Sequence, residues 1–166
     1  DQRIELYLLS VATGQLTRLT NDLAVESSPC WSPDGSRLCF VSDRAGNPQL
    51  YVMPTRGGRM ERLLAERDEA VSPDWSAVSN RVCFSTRLGG AYAIGYVDMA
   101  NSSRKRVIVT RAAGDWESPS WAPDGRHLVC SRKLNGRREL FMVDTWQRRL
   151  IQITSGGDHS LPSWSD

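Results

Sequence analysis

Ser28-Pro29-Cys30-Trp31-Ser32-Pro33-Asp34-Gly35 decides the fold, because the chain writes this phrase four times. It returns as Ser72-Pro73-Asp74-Trp75-Ser76 and as Ser118-Pro119-Ser120-Trp121-Ala122-Pro123-Asp124-Gly125. The last copy is Leu161-Pro162-Ser163-Trp164-Ser165-Asp166. The tryptophans stand 44, 46 and 43 residues apart. Self-similarity with a period in the forties marks an array of structural units, each leaning on its neighbours. Such arrays work mostly through the surface they present.

Aligned on their tryptophans, the units show four strand signals each. The first ends at the Trp. The second is Arg37-Leu38-Cys39-Phe40-Val41-Ser42, matched by Arg81 to Ser85 and His127 to Ser131. The third is Leu50-Tyr51-Val52-Met53, matched by Ile94 to Asp98 and Leu140 to Asp144; the fourth is Met60 to Leu64, matched by Arg106 to Thr110 and Leu150 to Thr154. All are short, rich in β-branched and aromatic residues, and cut by Gly, Pro, Asn and Asp. No segment sustains a helical period. Pro33-Asp34-Gly35 and Pro123-Asp124-Gly125 carry tight-turn chemistry. Ala77-Val78-Ser79-Asn80 stands in their place in the middle unit, where a looser hairpin is expected.

The pattern predicts an all-β fold of four-stranded antiparallel blades, three complete and one split. Residues 1–22 supply strands three and four of the split blade. Blades follow at 23–66, 67–112 and 113–156, and residues 157–166 supply a closing first strand. The split blade then lacks its second strand, so the chain is expected to be part of a larger ring, or to associate through exposed blade edges.

Composition sets bounds. The 166 residues could bury one ordinary core. A net charge of +2 suggests neither a nucleic-acid partner nor a membrane surface. The 19 Arg and 2 Lys form short clusters such as Arg104-Lys105-Arg106 beside strands three and four, where charge guards edges. No run of 18 apolar residues exists, so no membrane insertion is expected. The chain opens at Asp1 with no initiator Met and no signal peptide, and reads as a processed or excised piece. Cys30, Cys39, Cys83 and Cys130 have no metal-ligand spacing. They read as small buried fillers, although a hairpin at Asp34-Gly35 sets Cys30 opposite Cys39 and permits a cross-strand disulfide.

Pro-x-Trp-Ser-Pro-Asp-Gly, an apolar strand, Ser42-Asp43-Arg44-Ala45-Gly46-Asn47, then Leu50-Tyr51-Val52-Met53 resembles the WD40-like PD40 repeat of TolB-type β-propellers. Thr13-Gly14-Gln15-Leu16-Thr17-Arg18-Leu19-Thr20 is similar to that family's link between strands three and four. The resemblance covers nearly the whole chain, and the ending Asp158 to Ser165 favours TolB itself. It implies part of a six-bladed ring. It also implies a periplasmic, non-enzymatic protein of the Tol–Pal envelope system that binds a peptidoglycan-associated lipoprotein and uses no cofactor. The same repeat occurs in prolyl-oligopeptidase-like and tricorn-like peptidase propellers, and in sensor domains of membrane-tethered regulators. The middle unit departs from the pattern: it lacks Pro-Asp-Gly and has Gly95 where an aromatic is expected.

The usual binding surface of a propeller is the mouth of its channel. The loops preceding each Pro-x-Trp are acidic: Asp22 and Glu26; Asp68 and Glu69; Asp115, Trp116 and Glu117; Asp158 and His159. Grouped on one rim, they suit a basic loop of a protein partner, with Trp116 as an aromatic anchor. The alternative is a set of solvated turns that cap hydrogen bonds. The repeated tryptophans read as packing between blades. There is no GxSxG elbow, and neither His127 nor His159 has a metal-binding context. No catalytic residue and no metal site are expected.

Overall fold

A computed structural model describes residues 4–101 and 103–164. Their strands form four separate antiparallel sheets of two, four, four and four strands. The first sheet is β1 (Tyr7–Leu9) with β2 (Leu16–Arg18). The second is β3 (Glu26–Trp31), β4 (Arg37–Ser42), β5 (Gln49–Pro54) and β6 (Glu61–Arg62). The third is β7 (Ala70–Trp75), β8 (Arg81–Leu88), β9 (Ala91–Asp98) and β10 (Val107–Ile108). The fourth is β11 (Asp115–Trp121), β12 (His127–Leu134), β13 (Arg137–Asp144) and β14 (Arg149–Gln152). Within each four-stranded sheet the strands lie in chain order, so every connection is a hairpin.

Burial explains why these runs are strands. The second strand of each sheet is flanked on both sides and covered on both faces. Accordingly Leu38, Cys39, Phe40 and Val41 of β4 are all buried, as are Val82, Cys83 and Phe84 of β8. The fourth strands are outer edges and shrink to two residues in β6 and β10. The first hairpin closes alike in all three units. Ser32 N donates to Arg37 O at 2.9 Å, Ser76 N to Arg81 O at 2.9 Å, and Ala122 N to His127 O at 2.8 Å. The outer hairpins add a turn bond, Gly35 N to Ser32 O at 2.9 Å and Gly125 N to Ala122 O at 3.0 Å, which the middle one replaces with a side-chain bond. Ser76 Oγ accepts from the amides of Val78 and Ser79, and Asn80 takes the left-handed conformation at φ 46°. Asparagine tolerates that conformation better than most residues. Gly95 has a packing cause: a Cβ there would meet Ile108 Cδ1 at 3.2 Å and Val107 O at 3.3 Å.

The core lies between sheets. Trp75 packs on the second sheet among Cys39, Val41, Val52, Leu63 and Leu64. Trp121 packs on the third among Cys83, Ile94 and Val109, with Tyr96 edge-on at 6.0 Å between ring centroids. Trp31, at the same repeat position, is 51% exposed. The strand that would cover it is missing from the two-stranded sheet in front of it. Cys30 faces Cys39 in register, and all four cysteines are free thiols.

The ring expectation requires correction. Among the described residues no sheet is closed into a ring, and the partial six-bladed ring expected from the sequence is not seen. β1 and β2 pair only with each other. The segment after β14 makes one parallel bridge, Asp158 to Arg138, and forms no strand over the described residues 159–164. The physical reason lies in the missing second strand. β3, β7 and β11 are each held by the ladder of the strand that follows them. Residues 161–164 have no such ladder among the described residues, and β1 does not reach them.

Candidate functional site

The four repeated phrases converge. Ser28-Pro29, Ser72-Pro73, Ser118-Pro119 and Leu161-Pro162 line one cavity of about 230 Å3 where the first strands meet. In β3, β7 and β11 the register shifts at this dipeptide, between Ser27 and Cys30, Val71 and Asp74, and Glu117 and Ser120. The shift is a bulge, and its first residue is left-handed: φ is 50° at Ser28, 52° at Ser72 and 53° at Ser118, and 53° at Leu161. Such φ values are uncommon outside glycine and are held by surrounding structure. The bulge frees Ser118 N from its own ladder, and that amide donates across the sheet boundary to Ser85 Oγ at 3.2 Å.

Asp74, one residue past the bulge, makes a second bond between sheets: its Oδ2 accepts from Trp121 N at 2.6 Å. Burial raises its pKa above the ordinary carboxylate value, against the lowering effect of the Trp121 and Ser120 hydrogen bonds. A carboxyl whose folded-state pKa lies above its unfolded value binds protons more tightly when folded. Stability is then lost as pH rises from the unfolded pKa, about 3.9, through the folded one. Asp74→Asn keeps an oxygen for Trp121 N and removes that penalty. Urea midpoints should show the variant at least as stable as the parent at pH 7, with the difference shrinking towards pH 4. A midpoint clearly lower at pH 7 would mean that the charge is favourable there.

The rim loops lie one step along the same strands, and the structure ties their carboxylates in groups. Arg44 Nη2 reaches Glu26 Oε1 at 2.8 Å and Asp22 Oδ2 at 3.2 Å. Tyr92 joins two others: its hydroxyl donates to Glu69, and its amide donates to Asp115 Oδ1 at 3.0 Å. Arg138 stands between Glu117 at 3.7 Å and Asp158 at 4.0 Å. Arg106 holds Asp68 at 2.6 Å. Asp68 and Asp158 keep much of their side chains in solvent, whereas Glu26 is buried. Trp116 is buried too, edge-on to Phe141 at 5.2 Å, with Arg132 above its ring and its Nε1 donating to Ala112 O at 2.9 Å. It is not presented to solvent. His159 is exposed, and its amide donates to Arg138 O at 2.9 Å.

Sequence reasoning missed the bridging residues Tyr92, Arg106 and Arg138. None repeats between units, so periodicity gave no signal for them. Arg106 and Arg138 of the arginine clusters are counter-charges to the rim carboxylates, and Arg132 caps two aromatic rings. Among the described residues, no group of three or more His, Cys, Asp or Glu could hold a metal ion.

The family model described as TolB beta propeller domain, PD40, matches residues 1–166. The chain belongs to the PD40 family. This is a family of non-catalytic repeat domains that work in protein binding. Among solved structures, TolB from Acinetobacter baumannii is similar with 28% identity and a TM-score of 0.83, over 96% of this chain and 40% of that one. A putative TolB from Agrobacterium tumefaciens is similar with 20% identity and a TM-score of 0.76, over 89% of this chain and 55% of that one. A puromycin-hydrolyzing peptidase from Mycobacterium tuberculosis has 17% identity and a TM-score of 0.72, over 89% of this chain and 24% of its own. At such identity the last two show the fold alone. The PD40 chain thus spans less than two thirds of each of these proteins.

Proposed function

We propose that the chain is a TolB-like binding module of the periplasmic Tol–Pal system. Its partner would be a peptidoglycan-associated lipoprotein, whose basic loop docks against the rim above the Ser-Pro cavity. The family match along all 166 residues carries this reading. Convergence of four repeated phrases on one cavity adds to it, because a shared inner surface is what a repeat array offers a partner. The contacting groups would be the carboxylates still open to solvent, Asp68, Glu117 and Asp158, together with Glu69, Asp115 and His159. Glu26 and Trp116 would act from below, by holding the loops.

The test is calorimetric titration of the chain with the soluble domain of the lipoprotein from the same organism. Glu117→Lys with Asp158→Lys should weaken binding at least tenfold, because both face Arg138 and their reversal gathers like charge at one spot. The melting temperature should move by no more than a few degrees, since both are surface positions. Unchanged affinity would sink the acidic-rim idea. Absence of binding by the unaltered chain would sink the Tol–Pal assignment.

A further inference from the structure

A pocket of about 400 Å3 opens at the edge of the third sheet, between the β8–β9 hairpin and residues 110–114. Its walls are mostly apolar: Leu88, Ala91, Ala93, Ile108, Ala112 and Ala113. A size in this range, apolar walls and a few polar groups are what binding pockets have in common.

One residue sets this pocket apart from its counterparts. Gln49, Ala93 and Glu139 occupy the same register, opposite Ser42, Thr86 and Arg132. In the second sheet Gln49 Nε2 donates to Arg67 O at 3.1 Å and so straps down the exit linker. In the fourth, Glu139 accepts from the amide of Gly156 at 2.7 Å and from the Thr154 hydroxyl at 2.6 Å. Ala93 has no side chain that could do this. The third linker is held from its other side, by Trp116 Nε1 on Ala112 O and by Arg132 Nε on Ala113 O at 2.8 Å. Without a strap the space is larger than its counterpart in the fourth sheet, where about 280 Å3 remains beside Glu139 and Gly156.

Arg111 stands at the edge of this space, exposed. Among the described residues no carboxylate lies within 4.0 Å of it, although nearby arginines are engaged: Arg87 with Glu69, Arg106 with Asp68, and Arg132 on two rings. An unmatched cation beside an apolar hole calls for an apolar group with a negative charge next to it.

We propose that the pocket receives one large apolar side chain from a segment of a partner protein, with an adjacent Asp or Glu paired to Arg111. This rests on reading the chain as a protein-binding module, and adds a second contact away from the Ser-Pro cavity. The probe is an acetylated, amidated tetrapeptide Ser-Leu-Asp-Ser, titrated into the full chain carrying 13C-labelled alanine and isoleucine methyls. Saturable shifts are expected at Ala91, Ala93, Ile108 and Ala112. Binding of Ser-Leu-Lys-Ser should be at least threefold weaker. Ala93→Gln, which rebuilds the strap and narrows the pocket, should weaken the response at least threefold. Arg111→Glu, a surface change, should reverse the preference between the peptides even if the strap variant folds poorly. No saturable shift at these methyls, or equal response to both peptides, overturns the proposal. The lipoprotein titration reads the rim separately, so one idea can fail while the other stands.

Discussion

Trp121→Ala should lower the free energy of unfolding by about 3–5 kcal/mol, the range for emptying a large buried aromatic site. The same change at Trp31 should lower it by about 1 kcal/mol or less. The two residues hold the same place in the repeat, so the contrast isolates environment from sequence. Trp121 is 5% exposed and wedged between the third and fourth sheets, while Trp31 is 51% exposed. Its loss also leaves Tyr96 and the apolar side chains around it facing a void. Denaturant titration of both variants, followed by circular dichroism, measures the difference. Equal effects would show that Trp31 is covered in solution by something the described residues do not supply.

Gly114→Ala is the second large effect, expected at about 2–4 kcal/mol through the sum of backbone strain and a steric clash. Gly114 has φ +102°, outside the range alanine adopts comfortably, and a Cβ there would lie 2.6 Å from Lys133 O. Lys133 O is a backbone atom and a Cβ is fixed rigidly to the Cα, so relief requires moving β12 or the linker. Gly136→Ala is the control. It has φ +78° with nothing within 4 Å of its added Cβ, and should lower stability by only about 1 kcal/mol. If the two variants melt alike, the close approach of the linker to β12 is not maintained in solution.

Much of the sheet architecture was readable from Trp-anchored spacing. Arg37–Ser42 emerges as β4 with the ends expected, because an apolar run between two turn signals has little freedom. The fourth strands were read too long: Arg106 to Thr110 yields only Val107–Ile108. An outer edge has one ladder instead of two, and apolar sequence alone does not extend it. The last repeated phrase, expected as a closing strand, forms none over the described residues 161–164, because such a phrase makes a strand only where its partner strand is present. Sequence singled out the carboxylates in the loops before each Pro-x-Trp, but not that Arg44, Tyr92, Arg106 and Arg138 hold several of them. Those partners come from other strands and turns, 18 or more residues away, without periodicity. Trp116 illustrates the same limit. Its repeat position carries Glu26, Ala70 and His159 elsewhere, so nothing in the pattern marked it as core.

The left-handed Ser before each proline also changes the parity of the strand it interrupts. In an uninterrupted strand, residues five apart point to opposite faces. Here Ala70 and Trp75 share one buried cluster, and Trp116 and Trp121 share another. The bulge takes up one residue and returns both ends of the strand to the same side. Each first strand therefore consists of two short, independently phased halves. The half with the wedge Trp is under tight packing constraint. The position five before the wedge holds Glu26, Ala70 or Trp116, all buried, so side chains of different size fit there without shifting the wedge. This change of phase lets one repeated scaffold carry three different side chains at that place.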